Sequence, residues 1–142
     1  GEYLTLGGVK IPFSKGLQAH SDGDVLVHSL IDAILGAINA GDIGAHFPDD
    51  DVQYKNANSL DLLQNIYKLM SSEGYFLMNM DATIILEKPK LSKYIDKMKE
   101  NIAETLNCST DILSIKATTS EGIGFVGRQE GIACLCSILL DK

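Results

Sequence analysis

Ten residues near the N-terminus concentrate the polar side chains of this chain that could do chemistry. The segment 19–28 contains two histidines, two aspartates and a serine, and it leads directly into an apolar helical pattern. Polar groups at this density cost free energy to bury unless each has a partner. A cluster of this kind at the start of a helix therefore indicates a site. The alternative is an acidic helix cap followed by one histidine whose hydrogen bonds are satisfied.

His28 is the candidate metal ligand of this segment. It lies four residues after Asp24 and four before Asp32, so the three share one face of the predicted helix. A neutral imidazole is a common zinc ligand, but zinc needs three or four ligands and this helix offers one or two. The alternative is a histidine paired with an aspartate on the helix surface. His20 and Ser21 precede the helix, where backbone N–H groups favour a phosphate, or where the histidine is an ordinary surface residue.

A second group of hydroxyl and carboxylate side chains ends a predicted strand near the C-terminus. Thr118, Thr119 and Ser120 are followed directly by Glu121. Hydroxyls in this position can hydrogen-bond phosphate oxygens, and a glutamate beside them can hold a magnesium ion that bridges phosphates. The alternative is a Ser/Thr turn with an exposed glutamate.

The glycine-rich run 122–127 superficially resembles a nucleotide-binding loop. A strand and not a helix is predicted after it, which excludes a dinucleotide site of the usual kind. Arg128 and Glu130, beside this run, can pair with each other or recognise a phosphate. The three successive aspartates at 49–51 lack the spaced ligands of a calcium loop and favour a solvated turn.

The composition indicates one compact globular domain. A chain of 142 residues is long enough for one domain and too short for two domains of typical size. Its net charge of −7 argues against nucleic acid as a partner, because phosphate backbones are bound by basic surfaces. We expect no membrane partner, since every apolar run is far shorter than a membrane span. Cys134 and Cys136 share one face of a strand and are interpreted as small core residues in a reducing compartment.

The hydrophobic pattern predicts the strands that must position these groups. Two short strands, at 3–6 and 9–13, flank a glycine turn. Three further strands are predicted over 75–87, 112–118 and 131–140. The last of these is apolar throughout, which is typical of a strand covered on both faces.

Three helices are predicted between the strands. The first is capped by Asp22 or Asp24 and is largely apolar, which indicates that it is buried. The second begins at Ser59 and the third is capped by Ser92. The segment 41–51 between the first two is rich in Gly, Pro and Asp and is predicted to be a loop. Together these elements predict an α+β fold, a mixed sheet with helices packed on one face.

These residues resemble the 2-C-methyl-D-erythritol 2,4-cyclodiphosphate synthase family of the non-mevalonate isoprenoid pathway. The matching stretches follow the expected order along nearly the whole chain, at 7–12, 19–25, 41–44, 47–49, 116–119, 121, 124–125, 127–128 and 130–133. The resemblance implies a single domain over 1–142 from which the family's N-terminal strand is missing. It implies a homotrimer with active sites between subunits, and a lyase that cyclises 4-diphosphocytidyl-2-C-methyl-D-erythritol 2-phosphate with release of CMP.

The resemblance also implies roles for individual residues. His28 matches a zinc ligand and Glu121 matches the ligand of a second ion, magnesium or manganese, that bridges the two diphosphate phosphates. His20 and Thr119 match groups that stabilise the transition state. Substrate contacts, including the cytidine pocket, are implied for Ser21, Asp42, Ile43, Gly44, Phe47, Pro48, Asp49, Asp50, Asp51, Leu86, Glu87, Lys88, Pro89, Lys90, Leu91, Ser92, Thr118, Ser120, Phe125 and Arg128.

One departure from the family pattern leaves an alternative open. The family's other two zinc ligands are an Asp and a His separated by one residue, and no such pair occurs before Gly7. His28 alone is not a zinc site, so a non-catalytic trimer that binds an isoprenoid diphosphate near Arg128 and Glu130 is the competing hypothesis. A zinc-dependent phosphohydrolase would not account for the cytidine-side residues. A plastid-type organelle, such as an apicoplast, or the bacterial cytoplasm is the expected location, and His46 is left without a role.

Overall fold

The chain forms a two-stranded hairpin and a three-stranded mixed sheet with helices, in a computed structural model that describes residues 3–13, 23–48 and 58–142. The strands are β1 (Tyr3–Leu6), β2 (Val9–Pro12), β3 (Phe76–Ile85), β4 (Leu113–Thr118) and β5 (Ala133–Asp141). The helices are α1 (Val25–Ala37), α2 (Ile43–His46), α3 (Ser59–Ser72), α4 (Ile95–Leu106) and α5 (Gly124–Gly127). The predicted α+β class is therefore confirmed. No helix in the described ranges is long and apolar enough to cross a membrane.

The central strand of the sheet is β3, which pairs with β4 in parallel and with β5 in antiparallel orientation. Alternate residues of β3 point toward the helices, and Met80, Ala82 and Ile84 are buried there. Helix α1 lies against β5, α3 packs on α1, and α4 contacts both α3 and β4. The helices thus cover one face of the mixed sheet, as the hydrophobic pattern predicted.

The opposite face of the sheet is open in the single chain. Leu135 and Leu139 of β5 are 69% and 58% exposed, and the neighbouring strand adds Phe76 at 51%. In the single chain β5 is therefore covered on one face only, and coverage of its second face by another subunit stays a prediction. Only alternate positions of the strand, such as Cys134 and Cys136, pack against the core. An uninterrupted apolar strand does not by itself say whether its second face meets a helix or another chain.

The turn between β1 and β2 is built from two glycines with positive φ. Gly7 and Gly8 have φ angles of 57° and 75°, which residues with a Cβ rarely adopt. A Cβ added at Gly7 would lie 2.7 Å from Met98 Cβ, and one at Gly8 would lie 2.5 Å from Leu60 Cδ1. The turn therefore packs directly on α3 and α4. Both of its N–H groups donate to Asp24, at 3.0 Å to Oδ1 and 2.8 Å to Oδ2.

Asp24 is also the residue that caps α1. Its Oδ1 accepts a hydrogen bond from Val27 N at 3.0 Å, and its Oδ2 accepts one from Ser59 Oγ at 3.1 Å. Of the two aspartates predicted as caps, Asp24 is confirmed, while Asp22 lies outside the described residues. The carboxylate is fully buried, and a buried charge is tolerated when hydrogen bonds of this kind surround it. It joins the hairpin and the first turns of α1 and α3 at one point.

The sequence predicted that Ser92 caps the third helix, but this helix, α4, begins only at Ile95. Tyr94 N donates to Leu91 O at 2.8 Å, which closes a turn over the intervening residues. This turn delays the start of the helix, and no side chain in the described part of the protein caps it.

Candidate active site

A cavity of about 340 Å³ lies between the loop that follows β3 and the end of β4. Its walls are formed by the loop residues 86–92 apart from Lys88, together with Ile95 and residues 117–119. The two segments meet because β3 and β4 are parallel and end at the same edge of the sheet. Leu86 N donates to Thr118 O at 2.9 Å, which continues this pairing past the end of β3. The structure thus brings together two segments to which the resemblance assigned the cytidine pocket and its diphosphate.

The turn that follows β4 carries Thr119 and Glu121. Glu121 has a φ of 55° and Gly122 a φ of 79°, so the chain reverses through two left-handed residues. A positive φ is uncommon for a residue other than glycine, and such strain tends to occur at functional sites. Glu121 N donates to Thr119 Oγ1 at 3.1 Å, and Ile123 N donates to Ser120 O at 3.1 Å. The turn therefore holds Glu121 at the exposed surface, with its backbone N–H on the Thr119 hydroxyl.

Glu87 joins the two sides of the cavity. Its Oε1 accepts a hydrogen bond from Ser120 N at 2.9 Å and lies 3.0 Å from Ser120 Oγ. The backbone N–H of Ser120 is the main reason that the pKa of this carboxyl lies below its usual range, with a smaller contribution from the serine hydroxyl. No sequence pattern predicts this bond, because its partners are 33 residues apart and follow no period.

The glycine-rich run after this turn contains α5, a single helical turn that the sequence pattern did not predict. A Cβ at Gly127 would lie 2.1 Å from the carbonyl carbon of Gly122, so the helical turn is in backbone contact with the turn at 120–123. The chain packs this tightly only because glycine occupies the position. Phe125 is 53% exposed, and the Arg128 guanidinium forms an ion pair with the Glu130 carboxylate. Neither Phe125 nor Arg128 lines the 340 Å³ cavity.

His28 lies on α1 with a buried ring nitrogen, Nε2, that has no hydrogen-bond partner among the described residues. The hypothesis of a surface pair with an aspartate finds no support there. Asp24 caps the helix, and Asp32 Oδ1 accepts from Ile43 N at 2.8 Å. An unpartnered buried imidazole nitrogen suits a metal ligand, because metal coordination would satisfy its lone pair. Within the described ranges no three His, Cys, Asp or Glu side chains form a metal-binding group, so a metal at His28 would need ligands from elsewhere.

The segment 41–48, predicted to be a loop, contains the short helix α2. Asp42 caps this helix, because its Oδ1 accepts a hydrogen bond from Ala45 N at 2.9 Å. The high Gly, Pro and Asp content of the segment favoured a loop and hid this helix cap. His46, to which no role was assigned from the sequence, has its Nε2 2.6 Å from Ala40 O and so ties the segment to the residue that precedes it. Phe47 is 9% exposed and its ring packs in the core.

The remaining implied substrate contacts fall into two groups. Pro48 and the segment 42–44 lie in the described chain, outside the walls of the cavity, and their substrate contacts stay predictions. The second group lies outside the described residues and consists of His20, Ser21, Asp49, Asp50 and Asp51.

Cys134 and Cys136 pack against the core, as the sequence predicted. Both side chains are partly buried there, and Ser29 Oγ lies 3.2 Å from Cys134 Sγ. Burial raises the pKa of the Cys136 thiol to about 12, and it also raises that of Cys134. Both thiols therefore stay protonated near neutral pH, where they are poor nucleophiles and poor metal ligands.

Comparison with known proteins gives a consistent family. The YgbB family model matches residues 1–141. A curated relative from Clostridium kluyveri, named 2-C-methyl-D-erythritol 2,4-cyclodiphosphate synthase, is 56% identical over 137 residues, covering 96% of this chain and 84% of the relative. One of the same name from Geobacillus thermodenitrificans is 52% identical over 142 residues, covering 100% and 89%.

Solved structures agree with this assignment. The bifunctional IspDF from Campylobacter jejuni matches with a TM-score of 0.93 and 48% identity, and the match covers 98% of this chain and 38% of that longer one. The IspF from Plasmodium falciparum, solved as a CDP complex, matches with a TM-score of 0.86 and 37% identity, covering 97% and 83%. The chain therefore belongs to the YgbB family, whose curated members here are 2-C-methyl-D-erythritol 2,4-cyclodiphosphate synthases.

Proposed function

We propose that this chain is a lyase that converts 4-diphosphocytidyl-2-C-methyl-D-erythritol 2-phosphate to 2-C-methyl-D-erythritol 2,4-cyclodiphosphate and releases CMP. The family membership supports the reaction, and the CDP in the Plasmodium falciparum structure supports a cytidine nucleotide as the ligand. The observation in this chain that carries the proposal is the cavity between 86–92 and 117–119. It has room for a small ligand and ends at a row of hydroxyl groups.

The residues around the cavity would act mainly by positioning the substrate. The apolar side chains of Leu86, Leu91 and Ile95 offer contact area for a flat base, while Thr118 and Thr119 offer hydroxyls for phosphate oxygens. An oxygen of the 2-phosphate forms a bond to the β-phosphorus, and the bond from that phosphorus to the oxygen retained by CMP breaks. Phosphoryl transfer of this kind requires alignment and charge neutralisation more than a protein nucleophile.

Two divalent metals are proposed as cofactors. His28 would contribute one ligand to zinc through Nε2, and the exposed Glu121 would hold magnesium or manganese. When bound, these ions supply positive charge that neutralises the phosphates and the leaving CMP. His20 and Thr119 are proposed to donate hydrogen bonds to the phosphates as charge develops.

The reaction is tested by incubating the full-length protein with the proposed substrate, magnesium and zinc, and following the phosphorus NMR spectrum. We expect CMP and a cyclic diphosphate to form together. The Glu121→Gln variant keeps the shape of the turn and should lower turnover by about a hundredfold or more, with little change in stability because the group is exposed. Glu104→Gln, at an exposed position of α4, is the matched control. A simple hydrolysis product in place of the cyclic diphosphate would show a phosphohydrolase instead.

We also propose that the chain assembles as a homotrimer with active sites between subunits. The support is the open face of the sheet, where Leu135, Leu139 and Phe76 are exposed in the single chain. Apolar side chains on a flat sheet face are typical of an interface between copies.

Light scattering at micromolar concentration should therefore give the mass of a trimer. Leu135→Glu places a charge on the open face and should yield monomer, because burying an unpaired carboxylate in an interface is costly. Gln64→Glu adds the same charge on the exposed side of α3 and should leave the trimer intact. A wild-type protein that is monomeric under these conditions would contradict the proposal.

A further ligand and a location complete the proposal. The exposed Phe125 and the nearby Arg128, which is three residues further along the chain and paired with Glu130, suit an isoprenoid diphosphate bound between the subunits of the trimer, since they offer an apolar and a cationic group. The relatives from Clostridium kluyveri and Geobacillus thermodenitrificans support the bacterial cytoplasm over a plastid-type organelle.

A further inference from the structure

Glu87 has its carboxylate committed to the backbone on the far side of the cavity. One oxygen, Oε1, accepts from Ser120 N and lies within hydrogen-bonding distance of Ser120 Oγ, at 2.9 and 3.0 Å. The same hydroxyl lies 2.8 Å from Ile123 O, so its single proton is shared between this carbonyl and the carboxylate. A charged acceptor forms stronger hydrogen bonds than a neutral one. Glu87 therefore holds Ser120 chiefly through the backbone N–H, with the hydroxyl as a shared second contact.

Ser120 stands between the two residues of this turn that are proposed to reach the phosphates. Thr119 precedes it, and Glu121 follows it with a φ of 55°. A left-handed residue persists only when its surroundings hold it there. Within the described residues, the bonds that reach Ser120 from outside the turn come from Glu87.

A direct contact between Glu87 and the substrate fits the charges poorly. The substrate carries phosphates, and a carboxylate beside them would repel them unless a cation lay between. Glu87 lines the cavity, yet its Oε1 faces Ser120. The resemblance assigned Glu87 to substrate binding, and its contacts suggest a different role.

We propose that Glu87 is a positioning residue that holds the turn 119–123 so that Thr119 and Glu121 face the diphosphate. The proposal rests on the proposed function, because it takes the ligand to be a cytidine diphosphate group. Glu87 then governs recognition of the β-phosphate and not of the nucleoside. The cytidine side of the cavity is formed by the loop 86–92, which has bonds of its own besides the one to Ser120, from Leu86 N to Thr118 O and from Tyr94 N to Leu91 O.

Two conservative variants separate position from charge. Glu87→Gln keeps the length of the side chain and an oxygen that can accept from Ser120 N, but it removes the charge. Glu87→Asp keeps the charge but draws the carboxylate back by one methylene, away from Ser120. Glu104→Asp, at an exposed position of α4, is the control for the same change elsewhere.

The test measures binding of CDP and of CMP by calorimetry, each in the presence of magnesium, on the full-length protein and the three variants. We expect Glu87→Asp to weaken CDP binding by about tenfold or more, as is usual when a group that orients a metal ligand is lost. CMP binding should change far less, so that the preference for CDP over CMP falls. Glu87→Gln should recover most of this preference, and Glu104→Asp should match the wild-type protein. Circular dichroism of each variant checks that the fold is retained.

The opposite ranking of the two Glu87 variants would overturn the proposal. If Glu87→Asp keeps the preference for CDP and Glu87→Gln loses it, the charge acts directly on a metal or a ligand. Equal losses for CDP and CMP in Glu87→Asp would also overturn it, since they would indicate general disruption of the pocket. A wild-type protein that binds CDP but forms no cyclic diphosphate would refute the proposed function while the binding ratios still test Glu87.

Discussion

Replacing His28 by alanine is expected to remove bound zinc and to abolish cyclisation. The ring nitrogen Nε2 is buried without a partner among the described residues, and a metal is the partner that the family implies for it. Zinc content should be measured by elemental analysis on the full-length natural protein, including any Asp-x-His segment encoded before Gly1. Turnover should fall by more than about a hundredfold, the upper range found when only outer-shell partners of a metal are removed.

Two other histidines serve as comparisons for this prediction. His20→Ala should retain zinc and lose rate, because His20 is proposed to contact phosphate. His46→Ala should also retain zinc, since its Nε2 is engaged with Ala40 O at 2.6 Å. Equal zinc in His28→Ala and His20→Ala would show that the assignment of the metal ligand is wrong.

Replacing Asp24 by alanine is expected to cause the largest loss of stability of any single change considered. The substitution removes a buried acceptor and leaves four donors, on Gly7, Gly8, Val27 and Ser59, without it. Leaving buried donors unsatisfied costs about 1–3 kcal/mol for each that finds no water. We expect the free energy of unfolding to fall by roughly 3–5 kcal/mol, since some of the four will be partly rehydrated.

Urea denaturation followed by circular dichroism measures this loss. Asp61→Ala is the control, because Asp61 is an exposed aspartate in the first turn of α3, and it should cost less than about 1 kcal/mol. Asp24→Asn keeps the shape and one acceptor and should fall between the two. A loss below about 1 kcal/mol for Asp24→Ala would mean that the four hydrogen bonds contribute little net stability.

The hydrophobic periodicity of the sequence predicted the larger helices and strands, because each of them buries one face. The faces of α3, α4 and the central strand repeat with the spacing of their secondary structure, and each was identified from the sequence. The one-turn helices α2 and α5 were not predicted. They are too short to show a period, and they depend on a cap or on a close glycine contact.

The candidate site was predictable in its residues and less so in its contacts. The resemblance pointed to the loop 86–92 and to residues 118–121, and the structure places the loop and Thr118 and Thr119 around one cavity. It gave no sign that Glu87 bonds to Ser120, because a contact between distant residues leaves no local pattern. The apolar pattern of β5 predicted that both of its faces are covered, but the pattern alone does not distinguish a helix from a second copy on the open face.

The hairpin turn also bears on how this chain tolerates mutation. Gly7 and Gly8 lack room for a Cβ, and the same closeness brings their N–H groups to Asp24. A methyl group at either position would push the turn away from the helices and lengthen the bonds to the carboxylate. A substitution at either glycine or at the aspartate therefore disrupts the same set of hydrogen bonds. Random variants that change any of the three should be depleted together in a library selected for folding, although position 24 is 17 residues from position 7.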